Sequence, residues 1–155
     1  MASPPSARWK STTSAAAPTM LTAYGGFGIP LLPAYSPAAI AWVEQGGVYA
    51  VANIRGGGEY GKAWHDAGKG QSKQTVFDDF IAAAEFLKRE GITTAGGLAI
   101  HGESHGGMLV GAVTNQRPDL FKVSLPGVGV MDMLRFDRFT GGKLWISEFG
   151  DPSDE

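Results

Sequence analysis

A serine set among glycines narrows the folds open to this chain more than anything else in it. Gly102-Glu103-Ser104-His105-Gly106-Gly107 follows a short apolar run, Gly97-Leu98-Ala99-Ile100, and opens a helix-like stretch over 108–116. A chain that turns from strand to helix around one serine needs small neighbours and leaves the hydroxyl exposed, which is the geometry of a nucleophile elbow. The spacing therefore predicts a buried strand, a sharp turn with Ser104 as nucleophile, and a helix. At the start of that helix the backbone N–H of His105 faces the carbonyl oxygen that becomes negative on attack, and one such donor is worth about 3–4 kcal/mol of barrier. The chain has three histidines and none follows His105, so no activating base for Ser104 is evident.

The pattern around the elbow is one of alternating strands and helices. A strand over 20–24 ends in Gly25-Gly26-Phe27-Gly28, and a helix over 37–45 has Ser36 as N-cap, Pro37 at its first position and Gly46 as terminator. The nearly continuous apolar run 48–54 reads as a strand covered on both faces of a parallel sheet. Phe77, Phe80, Ile81, Ala84 and Leu87 fall at helical spacing over 76–90, with Thr75 and Asp78 as a capping box and Gly91 at the stop. Another strand is expected near 122–125. This order predicts an α/β fold with a parallel sheet flanked by helices.

With 155 residues and 43% hydrophobic content the chain can bury one core. Residues 1–17 are rich in Ser, Ala and Pro and lack an apolar core, so they read as a disordered leader ahead of one domain over 18–155. The acidic, Pro-containing end at 151–155 resembles a cut inside a surface loop. A net charge of −2 gives no case for nucleic acid or an anionic membrane as partner. The absence of cysteine excludes disulfides, thiolate metal sites and a cysteine nucleophile. It is compatible with a cytoplasmic location, with the periplasm as the alternative. No metal and no cofactor are expected.

Two sharper readings are set aside on context. The imidazole of His105 follows the serine at a turn-to-helix junction, so it points away from the serine side chain and cannot be its base. Gly56-Gly57-Gly58-Glu59-Tyr60-Gly61 fits a dinucleotide-binding Gly-x-Gly-x-x-Gly, with Asp78 and Asp79 further on. The segment after it shows no helix, so that function is not expected. Glu103 reads as a solvated carboxylate and His101 as a packed, hydrogen-bonded core histidine.

Taken together, Tyr24-Gly25-Gly26-Phe27, the run from Gly47 to Gly61, Trp64-His65, Phe77-Asp78-Asp79-Phe80, the elbow, Asn115 to Phe121 and Val128 to Met133 resemble the catalytic domain of the prolyl oligopeptidase family of serine peptidases, a partial α/β-hydrolase domain. The resemblance implies cleavage of short proline-containing peptides after proline. It implies Ser104 as nucleophile, with the Tyr24 hydroxyl joining the His105 N–H in the oxyanion hole. It implies a proline pocket lined by Phe27, Val130, Trp145 and Phe149. The family's β-propeller is absent from this sequence, and its triad aspartate and histidine would lie downstream of residue 155. Glu103 and His105 replace the glycine and asparagine usual in the family's elbow. Isolated, the chain is expected to turn over little. The alternatives are an esterase-type serine hydrolase with a base such as His65, or a non-catalytic fragment that self-associates through an exposed sheet edge.

Overall fold

The computed structural model describes residues 16–154, so the expected leader falls outside the described residues except for its last two positions. The elements are β1 (Thr19–Thr22), α1 (Pro37–Glu44), β2 (Val48–Val51), α2 (Lys62–Asp66), α3 (Gln74–Arg89), β3 (Leu98–Glu103), α4 (His105–Gln116), β4 (Val123–Gly127) and α5 (Ile146–Phe149). The four strands form one parallel sheet in the order β2-β1-β3-β4. The architecture is that of a partial α/β-hydrolase fold, a parallel sheet with helices against it.

Local chemistry accounts for most of the boundaries. Ser36 Oγ accepts the Ala39 N–H at 3.2 Å, and Pro37 opens α1, where its missing N–H costs nothing. In α3 the stripe Val76, Phe80, Ala84 and Leu87 is buried against Leu21, Ala50, Leu98 and Ile100, and Leu109, Val110 and Val113 of α4 complete the same core. The capping box does not form. Helix α3 starts earlier, at Gln74, with Lys73 already helical before it, so Thr75 lies inside the first turn. The Asp78 carboxylate accepts instead from the Gln74 side chain at 2.9 Å.

The two faces of the sheet differ. Right-handed crossovers put α3 and α4 on one face and α1 on the other. On the first face Leu21, Ala50 and Ile100 are sealed, at 2% exposure or less. On the second, Val51 and Leu125 are 46% and 45% exposed, and α1 buries none of its own residues. The expectation of a strand covered on both faces is thus wrong for β2, and the strand is also shorter than expected, ending at Val51. His101 shares the open face, in register with Thr22 and Leu125, and its side chain is 37% exposed, 3.9 Å from Glu103. It is not a packed core histidine, because the helices that would bury it lie on the other side.

Among the described residues no helix is long and apolar enough to cross a membrane, and no three His, Asp or Glu side chains are grouped to hold a metal ion.

Candidate active site

From β1 the chain crosses to β2 on one side of the sheet, and from β3 it crosses to β4 on the other. Such a reversal opens a crevice outside the carboxyl ends of the two neighbouring strands. Tyr24 leaves the end of β1 and Ser104 leaves the end of β3, so the topology brings them to the same crevice.

Ser104 adopts φ 55° and ψ −117°, a left-handed conformation that costs a residue with a side chain about 1–3 kcal/mol. The surroundings hold it there. Its N–H donates to the Gly127 carbonyl at 2.9 Å, and its carbonyl accepts the Met108 N–H at 3.1 Å. At position 102 a β-carbon would collide with the Gly106 carbonyl, so the elbow closes only with glycine there. Glu103 is accommodated because its side chain is directed to solvent, 72% exposed. His105 is the first residue of α4, so its N–H has no carbonyl four residues back within the helix.

Beside Ser104 lies a cavity of about 230 Å³ lined by Tyr24, Phe27, Ile29, Ser104, His105, Val130 and Trp145. Six of the seven residues singled out in the sequence are therefore brought together. The seventh, Phe149, is not on the cavity wall. It packs behind it, stacked on the His105 ring and edge-on to Phe27, with centroids 5.6 Å apart in both pairs. Ile29 joins the lining without having been foreseen, since an isoleucine in a glycine-rich loop carries no chemical signal.

The loop bearing Tyr24 and Phe27 is braced from below by the Gly56-Gly57-Gly58 run. Gly28 N–H donates to Gly56 O at 3.1 Å, and side chains at 56 or 58 would strike the carbonyls of Gly25 and Gly28. Asp79, one of the two acids further on from the glycine run, holds Arg55 through contacts of 2.5 and 2.8 Å. The segment after the glycines does form a helix, contrary to expectation, but α2 is only one turn long. Close packing of two backbones explains Gly56 and Gly58.

Behind the elbow is a buried polar chain that the sequence did not reveal. The His105 ring is fully buried, with Nδ1 2.7 Å from the Tyr24 carbonyl and Nε2 3.2 Å from Lys73 Nζ. Lys73 Nζ donates to Glu148 Oε1 at 2.8 Å, and His65 Nε2 lies 2.7 Å from Glu148 Oε2. Burial, reinforced by the Lys73 charge, lowers the His105 pKa from the ordinary 6.5 to about 4, so the ring is neutral. Burial likewise lowers Lys73 against the pull of Glu148. For Glu148 burial acts upward, but hydrogen bonds from His65, Lys73 and the Phe27 N–H outweigh it and hold the carboxylate below its usual range. Lys73 and Glu148 are 75 residues apart, and neither stands in a motif that would pair them. All three histidines are thus engaged away from the Ser104 hydroxyl.

A sequence profile described as the prolyl oligopeptidase family, Peptidase_S9, matches residues 33–155. Over 137 residues the chain is 56% identical to a prolyl endopeptidase of Elizabethkingia miricola, covering 88% of this chain and 19% of that protein. A solved prolyl endopeptidase structure superposes with a TM-score of 0.90 at 56% identity, over 92% of this chain and 21% of its own. Prolyl oligopeptidase B from Galerina marginata, solved with a 35mer hydrolysis and macrocyclization substrate, superposes at 0.87 and 43% identity, over 90% of this chain and 20% of its own. The chain thus spans about a fifth of the length of the proteins it matches.

Proposed function

This chain belongs to the prolyl oligopeptidase family, and from that premise we propose that Ser104 is the nucleophile of a serine peptidase that cleaves short peptides after proline. The observation that carries this reading is the strained serine at the rim of a small apolar cavity. Proline presents a flat ring and no N–H, so its recognition rests on apolar and aromatic packing, which Phe27, Val130, Trp145 and Ile29 supply. With the ring seated there, Ser104 Oγ attacks the proline carbonyl carbon and the carbonyl oxygen takes the negative charge. The His105 N–H and the Tyr24 hydroxyl receive that oxygen. The amine leaves with a proton, and water then releases the acyl group from Ser104. The proton on Ser104 needs a base, and none of the chain's three histidines is placed to take it. The 155-residue chain alone is therefore expected to turn over slowly, since loss of the base costs on the order of 10⁴ to 10⁶ in rate.

The test combines turnover with a ligand that needs no base. A prolyl boronic acid, which forms a tetrahedral anion on a serine oxygen, should bind this chain and fail to bind Ser104→Ala. A Gly-Pro amide reporter should be cleaved slowly, and a Gly-Ala amide not at all. Hydrolysis of a short acyl ester with neither boronate binding nor proline-amide cleavage would overturn the post-proline reading. Glu103, which stands where the family's elbow usually has glycine, lies outside the cavity. The exposed edges of β2 and β4 would support self-association, which sedimentation across a dilution series measures.

A further inference from the structure

Resting on that peptidase reading, we infer that Lys73, Glu148 and His65 are positioning residues that hold the two oxyanion donors through the His105 ring. The hydrogen-bond directions follow from what each atom can do. The Tyr24 carbonyl only accepts, so the His105 Nδ1 at 2.7 Å carries the ring proton and donates it. His105 Nε2 is then a lone pair, and Lys73 Nζ at 3.2 Å donates to it. The same ammonium donates to Glu148, whose second oxygen accepts from His65 Nε2–H. Each donor in this chain faces an acceptor, and the order runs one way, from α2 through α5 and the start of α3 to the elbow.

This arrangement couples the donors because both belong to residues that the ring joins. One donor is the backbone N–H of His105 itself. The other is the hydroxyl of Tyr24, whose main chain is tied to the His105 Nδ1–H. Gly26 allows the ring to lie against this loop, for a β-carbon there would come within 2.6 Å of the ring atoms. Phe149, next to Glu148 in sequence, closes the ring's open side, nearly parallel to it at 2°. With Glu148 only 2% exposed and the Lys73 side chain 13% exposed, water does not substitute for these partners. A buried charge pair is weak support for stability by itself. Its use here is to fix geometry.

The experiment has two parts, both on the 155-residue chain. Long-range ¹⁵N–¹H spectra report the His105 ring directly: a neutral ring protonated at Nδ1 at pH 6 is expected, and an Nε2–H or doubly protonated ring overturns the network. For the second part, Lys73→Met and Glu148→Gln are combined, so that no unpaired charge is left buried. The double variant should lose boronate affinity about 10-fold, part of the roughly 10²-fold that a misplaced group can cost. It should bind a Gly-Pro-amide peptide, which fills the pocket without forming an oxyanion, within about twofold. Equal losses for both ligands, or none, would refute a positioning role. His105→Asn, whose side-chain amide can still reach the Tyr24 carbonyl, should lose less boronate affinity than His105→Leu. A double variant that does not fold leaves that single-site comparison to decide the question, with equal losses refuting the inference. If the unaltered chain binds neither ligand, the peptidase reading falls, and the ring spectra alone judge the network.

Discussion

The two faces of the sheet are made by the same strands and meet different fates. On β3, Ile100 is completely buried beneath α3 and α4, while the next residue, His101, faces outward and is half-exposed. On β1 and β2 the same alternation separates Leu21 and Ala50 from Thr22 and Val51. The serine elbow hangs from the covered face, since α4 begins at His105 and packs Leu109, Val110 and Val113 into the core. The strain at Ser104 is therefore borne by a one-sided core. The difference predicts that stability and site geometry respond strongly to the covered face and barely to the open one.

The largest effect should come from Phe80→Ala, which empties a fully buried position on α3 and should cost about 3–5 kcal/mol in urea denaturation. A loss under about 1 kcal/mol would mean the covered face is not the principal core. Next, acid should weaken the fold from this side. The His105 pKa is about 4 in the folded chain against an ordinary 6.5, so the unfolded chain binds the extra proton between those values. That contribution is complete above about pH 6.5, is lost as pH falls towards 4, and amounts to roughly 3 kcal/mol. Glu148, held low, adds a loss of the same sign at still lower pH. Thermal denaturation from pH 7 to 4, compared with His105→Asn, measures it, and identical pH profiles would show that the ring does not titrate on unfolding.

At the edge where both faces end, Tyr24→Phe removes one proposed oxyanion donor. Boronate affinity should fall by up to 10²-fold, the low end of what one oxyanion donor is worth in rate, with little change in denaturation midpoint. Ile100→Val should cost about 0.5–1.5 kcal/mol. The smallest effects belong to the open face, where Leu125→Ala and His101→Ala should each stay within about 0.5 kcal/mol. Values near that of Ile100→Val would show this face to be covered in solution.

Much of this could be read directly from the residues. The elbow, the helix stop at Gly91 and the Ser36 cap depend on contacts within a few residues, so local spacing determines them. The apolar stripe of α3 is written at helical period, and the relatives' resemblance extends through the same segments. The capping box failed because Lys73, committed to Glu148, is already helical and carries α3 back past Thr75. His101 was misplaced because a hydrophobic run does not say which face its helices will cover.

The sequence by itself determined a strand–serine–helix unit, the α/β order around it and the small residues that let the turn close. Only the tertiary structure decided which side of the sheet is sealed, that Phe149 stands behind the cavity, and that His105, Lys73, Glu148 and His65 form one chain. The reason is physical: turns and caps are made by neighbours in sequence, whereas a buried charge is tolerated only where distant segments bring its partner within hydrogen-bond reach. The serine could be found from six letters. What holds the loop around it could not.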